Sequence, residues 1–285
     1  MLGMRCEVEN RRLSVNGIEM GALLHGEARD ARQTLVLLHG FTGSAAGWAD
    51  LFPWLEAPER RLIALDMLGH GQSDAPAEPA RYAIERCRDD ILAALAMLDV
   101  GAKEAVLLGY SMGGRIALYT AFSGFFRALI LESASPGIAD PLEREERRQS
   151  DDRLAQRIED AGIEAFVDEW ERLPLFASQR NLPAEARSAL RRQRLSNRAS
   201  GLANSLRGIG TGVQSALHEQ LHALDLPILL LAGELDEKYC RIARQMTASL
   251  PRAQIEIVPA AGHAVHLEQP ASFAGLVNEF CRAVY

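Results

Sequence analysis

The sequence predicts an α/β fold built on a mostly parallel sheet of eight strands with helices on both faces, and three observations carry that prediction. Strand-length apolar runs alternate with helix-type segments, the pattern of a doubly covered parallel sheet. A sharp, glycine-flanked turn joins one of those runs, Ala105 to Leu108, to a helix-like stretch, Ile116 to Ala121. Between Leu131 and Ile228 the strand pattern stops and charged helical stretches take over, which reads as an insertion.

Taken in order, an antiparallel hairpin is expected first, near Arg5 to Val8 and Glu19 to His25, turning around Asn16-Gly17. Asn-Gly favours the positive φ angles of a tight hairpin turn. Six further strands follow at Leu35 to Leu38, Leu62 to Leu65, Ala105 to Leu108, Ala128 to Leu131, Ile228 to Ala232 and Ile255 to Val258. A helical lid is placed from Pro136 to Leu224, where it would lie over the mouth of the site. The expected organisation is a core over 1–135, the lid over 136–224 and the rest of the core over 225–285. No internal repeat, low-complexity tract or Pro-rich linker interrupts it.

Composition bounds the function from outside. A chain of 285 residues that is 48% apolar and 24% charged is long enough to bury a full core and ordinary for a globular protein. The apolar runs are strand-length and the first residues lack a signal-peptide pattern, so a cytoplasmic location and no membrane insertion are expected. A net charge of -7 argues against nucleic acid as a partner, since that binding relies on surplus positive charge. Cys6, Cys87, Cys240 and Cys281 are widely spaced and form no C-x-x-C pair. They read as unpaired thiols, and no metal site is expected.

The run Gly109-Tyr110-Ser111-Met112-Gly113-Gly114-Arg115 has the G-x-S-x-G form, in which a serine occupies a strand-to-helix turn and projects above the sheet. Ser111 is the candidate nucleophile. A serine hydroxyl needs an imidazole in hydrogen-bond reach and a carboxylate to orient that imidazole, in the order serine, acid, histidine. Asp236 follows the strand Ile228 to Ala232 and is the preferred acid; His263 follows the last strand and is the preferred base. His266 competes with His263, but the glycine before His263 suits a loop that must approach the turn, and His266 suits the start of a helix. Glu234 and Asp225 compete with Asp236. Glu234 stands at the strand's end, where its side chain need not share the site with His263, and Asp225 precedes its strand. Backbone N–H groups of Phe41, in the turn after Leu35 to Leu38, and of Met112 are the expected oxyanion hole, each donor worth about 2.7 to 4 kcal/mol. His39 is read as a bracing histidine.

With Leu62-Ile63-Ala64-Leu65-Asp66-Met67-Leu68-Gly69-His70-Gly71-Gln72-Ser73 added, the chain resembles the α/β-hydrolase superfamily from about Thr34 onward. The resemblance implies loop-packing roles for Asp66 and His70. Arg115 lies one helical turn beyond Ser111, which puts both on one face, and offers a planar fork for a carboxylate; a salt bridge beneath the lid is its alternative. Haloalkane dehalogenases and epoxide hydrolases need a carboxylate where Ser111 stands.

A narrower resemblance rests on the Ser111 motif, Gly233-Glu234-Leu235-Asp236-Glu237-Lys238-Tyr239, Ala261-Gly262-His263 and three lid segments around Arg147, Trp170 and Arg194. Together these are similar to the 2-succinyl-6-hydroxy-2,4-cyclohexadiene-1-carboxylate synthases of menaquinone and phylloquinone biosynthesis. The resemblance implies a lyase that eliminates pyruvate from a small polycarboxylate without a cofactor, the triad serine acting as a base. It implies that Arg115, Arg147 and Arg194 hold carboxylates and that Tyr110 and Trp170 line the cavity. Arg148 is the neighbouring alternative to Arg147, Arg192 and Arg198 are alternatives to Arg194, and Trp170 has lid core as its alternative. Two other functions stay open: a serine hydrolase of an ester, thioester or carbon-carbon bond in a small acidic substrate, and a ligand receptor on the same scaffold.

Overall fold

Eight strands form one sheet in the order β1-β2-β4-β3-β5-β6-β7-β8. They are β1 (Glu9–Val15), β2 (Ile18–His25), β3 (Gln33–Leu38), β4 (Arg60–Leu65), β5 (Ala105–Tyr110), β6 (Ala128–Glu132), β7 (Ile228–Gly233) and β8 (Ala253–Val258). The computed structural model describes residues 8–27 and 31–285. The first strand therefore lies later than the expected Arg5 to Val8: Val8 precedes it, and Arg5, Cys6 and Glu7 lie outside the described residues. β1 and β2 pair around Asn16 and Gly17 as expected, and β2 pairs antiparallel with β4. From β4 through β8 every pairing is parallel.

Nine helices accompany the strands among the described residues: α1 (Phe52–Leu55), α2 (Ile84–Met97), α3 (Met112–Ala121), α4 (Pro141–Trp170), α5 (Ala184–Leu195), α6 (Ala199–Ile209), α7 (Glu237–Ser249), α8 (Val265–Glu268) and α9 (Pro270–Val284). Because successive strand residues point to opposite faces, the sheet divides its apolar residues between two cores. Val36, Leu38, Ile63, Leu65 and Leu107 face the side of α2, α3 and α7, whereas Leu35, Leu37, Leu62, Ala64 and Val106 face Trp48, Phe52 and α9. Central strands buried on both faces explain the continuous apolar runs. The edge strand β1 instead exposes Glu9, Arg11 and Arg12, charges that discourage further strand pairing.

No strand falls between β6 and β7. Asp140 starts α4 by accepting from the N–H groups of Leu142 and Glu143, and Gly162, at φ 82°, kinks it. This insertion has a small core of its own, in which Ala155, Ile158, Phe166 and Val167 of α4 meet Leu202, Ala203 and Leu206 of α6. Its polar ties to the loops after β3 and β4 run through side chains: Asn197 donates to the Thr42 carbonyl, Arg198 to that of Ser73 and Asn204 to that of Pro76.

Candidate active site

Ser111 stands where β5 turns into α3, at φ 52° and ψ −107°, a conformation that side-chain-bearing residues adopt at a cost. Two glycines make the turn possible. A Cβ on Gly109 would lie 2.3 Å from the Gly113 carbonyl oxygen, and one on Gly113 would lie 2.4 Å from that of Leu38. The Ser111 N–H donates to the Glu132 carbonyl at 2.9 Å, locking the elbow onto the end of β6.

So held, the Ser111 hydroxyl lies 3.0 Å from His263 Nε2, and His263 Nδ1 lies 2.6 Å from Asp236 Oδ2. A carboxylate only accepts, so Nδ1 carries the proton and Nε2 is left to accept the one on serine. Asp236 also caps α7, its Oδ1 accepting from the Tyr239 N–H at 3.2 Å. The His263 loop is tied by Glu268, which accepts from the Gly262 N–H at 2.7 Å. The competing residues make other contacts. His266 is paired with Glu132 at the start of α8, Glu234 is exposed and accepts from the Ala260 N–H, and Asp225 is exposed ahead of β7.

One cavity is lined by Ser111 and His263 together with Phe41, Met112, Tyr110, Arg115, Arg147, Trp170 and Arg194. The Phe41 and Met112 N–H groups have no protein acceptor among the described residues. Arg115 is buried, at 8% exposure. It donates to the Ile209 carbonyl at 3.0 Å and to Gln214 Oε1, and among the described residues no carboxylate pairs with it. Burial pushes its guanidinium down to about 10, which still leaves it charged at neutral pH. Arg147 is paired with Asp151 at 2.8 Å. Arg194 donates to Glu171 at 3.1 Å and to Gln179 at 2.9 Å, and burial lowers its affinity for its proton. Of the neighbouring alternatives, Arg148 pairs with Glu145 on the surface, Arg192 is exposed and Arg198 reaches the Ser73 carbonyl; none lines the cavity.

Trp170 serves both expected roles, packing on Phe41, Phe166 and Phe176 with ring centroids 5.4 Å away in each case while walling the cavity. Tyr110 stands between the rings of His263 and His266, and burial raises its hydroxyl well above the usual tyrosine value. His39 braces its turn, Nδ1 donating to the Gly40 carbonyl at 2.8 Å and Nε2 accepting from the Met67 N–H at 3.0 Å. Asp66 accepts from the Ala45 and Gln72 N–H groups, the loop-packing role expected of it.

Lys238 and Tyr239 also line the cavity, and the Tyr239 ring lies 4.6 Å from that of His263. Both belong to the Gly233 to Tyr239 motif and follow Asp236 in the first helical turn, but neither was singled out from the sequence. Gln214, which holds Arg115, and Glu132, which holds His266, had no such local signal.

Comparison with known proteins identifies the family. Residues 33–270 match the family model of the alpha/beta hydrolase fold. A Bacillus subtilis (strain 168) protein provisionally named 2-succinyl-6-hydroxy-2,4-cyclohexadiene-1-carboxylate synthase is 45% identical over 260 residues, covering 90% of this chain and 93% of its own. The synthase of that name from Serratia proteamaculans (strain 568) is 36% identical, covering 90% and 96%. Among solved structures, MenH from S. aureus superposes with a TM-score of 0.87 at 34% identity, over 92% of this chain and 98% of its own. The chain belongs to the alpha/beta hydrolase fold family and, within it, to the 2-succinyl-6-hydroxy-2,4-cyclohexadiene-1-carboxylate synthases.

Proposed function

We propose that the chain is a carbon-oxygen lyase that eliminates pyruvate from 2-succinyl-5-enolpyruvyl-6-hydroxy-3-cyclohexene-1-carboxylate, giving 2-succinyl-6-hydroxy-2,4-cyclohexadiene-1-carboxylate. The observation that carries this reading is Arg115, a buried guanidinium with no carboxylate partner in the wall of the cavity onto which Ser111 opens. A substrate carboxylate would complete it. Arg147, Arg194, Tyr110 and Trp170 complete the binding surface, and residues 136–224 act as the lid.

A 3-ene becomes a 2,4-diene, so C2 loses a proton and C5 loses its oxygen substituent. His263, oriented by Asp236, takes the Ser111 proton, and the Ser111 alkoxide removes the proton at C2. The freed electron pair forms C2=C3, the old double bond moves to C4=C5, and the C5–O bond breaks. The departing enolpyruvate takes the proton held on His263 and becomes pyruvate, which restores the neutral triad. C2 is next to the succinyl carbonyl, so negative charge builds on that oxygen. The Phe41 and Met112 N–H groups and the positive end of α3 are the donors that would meet it. A cytoplasmic location suits the buried thiols of Cys87, Cys240 and Cys281.

The test is pyruvate release, with the accompanying ultraviolet change of the diene, from the purified chain and from Ser111→Ala. Release that falls by orders of magnitude in the variant while substrate affinity holds is expected. No release above the spontaneous background, together with turnover of small esters, would make the chain a serine hydrolase instead.

A further inference from the structure

We infer that His266, held by Glu132, is a substrate-binding residue that accepts a hydrogen bond from the ring hydroxyl at C6; the inference rests on the lyase reading above. Glu132 ends β6 with its side chain fully buried. Its Oε1 and Oε2 lie 2.8 and 2.9 Å from His266 Nδ1, and Oε1 also accepts from the His266 N–H at 3.0 Å. Since a carboxylate cannot donate, the hydrogen sits on Nδ1, and in the neutral ring Nε2 carries a lone pair. The ring is fixed in that pose by Trp48 and Tyr110, each with centroids 4.7 Å away, and by Phe273 at 5.9 Å.

His266 lines the same cavity as Ser111, and its Nε2 has no protein partner among the described residues. The charged side chains that share this wall are Arg115, Arg147, Arg194 and Lys238, and all of them only donate. They suit carboxylates and cannot take a hydroxyl proton. Ser111 Oγ is engaged by His263. A bare imidazole nitrogen among cationic donors is matched by a hydroxyl, and a site built to accept from a hydroxyl discriminates against analogues that lack it.

The alternative is that the Glu132–His266 pair only braces the His263 loop, and ligand discrimination separates the two. His266→Asn keeps an N–H for Glu132 in place of Nδ1 and removes the cavity-side nitrogen; His266→Gln keeps a carbonyl oxygen for the cavity. Dissociation constants of the full chain would be measured for the hydroxylated diene product and for 2-succinylbenzoate, which has the same two carboxylates and keto chain but no hydroxyl. His266→Asn is expected to weaken the diene about tenfold and leave 2-succinylbenzoate within about twofold, with the loss in pyruvate release appearing in KM. Should His266→Asn not fold, His266→Gln is expected to retain the preference for the hydroxylated ligand, and its loss would overturn the inference. Equal weakening of both ligands, or no change in either, overturns it while wild-type pyruvate release leaves the lyase reading standing. A wild-type chain that releases no pyruvate and binds neither ligand overturns both.

Discussion

A buried charge left without a counter-ion costs several kcal/mol, so Arg115 is held for a reason other than stability. Its fork is aimed by the Ile209 carbonyl and Gln214, which leaves the remaining donors for a ligand. Truncation in Arg115→Ala removes a charge-assisted bond worth about 1.5 to 3 kcal/mol, so KM for the polycarboxylate substrate is expected to rise tenfold or more. Arg115→Lys is expected to restore little, because an ammonium lacks the planar fork. Steady-state kinetics of both variants check this, and an unchanged KM removes the carboxylate clamp. At this scale the sequence was readable wherever the signal is local. Ser111, Asp236 and His263 each follow a strand, and Arg115 follows Ser111 by one turn. Glu132 was not readable, because its partner lies 134 residues away and only the pairing of β6 with β7 and of β7 with β8 brings the two together.

The strand–turn–helix of β5 and α3 is the element on which the site depends, and its tolerance is set by backbone crowding. In Gly113→Ala the new methyl would meet the Leu38 and His39 carbonyl oxygens at 2.4 and 2.6 Å. Neither is the end of a flexible side chain, so the elbow must shift. Overpacking of this kind typically costs about 1 to 3 kcal/mol. Gly113→Ala is expected to lower the urea midpoint and to abolish Ser111 labelling by a fluorophosphonate; full labelling would show that the turn has slack. The strands of the sheet interior were legible as apolar runs because both faces are buried. The first strand was not, since in β1 only Leu13 and Val15 point inward and the surrounding charges blur the alternation. Similarly, the kink that Gly162 puts in α4 leaves the helical pattern on either side of it intact.

Across the whole molecule, acid tolerance follows from two histidines packed beneath the cavity. Burial holds His39 down to about 4 and His70 down to about 3, while in the unfolded chain both take up protons near the ordinary value of about 6.5. Their stabilisation is therefore complete above that pH and declines as pH falls below it. At about 1.4 kcal/mol per tenfold change in proton affinity, His39 alone accounts for about 3 kcal/mol by pH 4. The urea midpoint is expected to fall steadily from pH 6.5 to pH 5, and a level profile over that window would mean that the folded chain accepts these protons. The helical insertion bears on a different property of the whole. Among the described residues, no backbone-to-backbone hydrogen bond joins 136–224 to the rest of the chain. Asn197, Arg198 and Asn204 are replaceable side chains, and the small apolar core between α4 and α6 travels with the insertion. The sheet and its triad are thus a chassis to which another helical cap could be grafted at 136 and 224, so that substrate range can diverge between relatives while the proton-transfer machinery stays as it is.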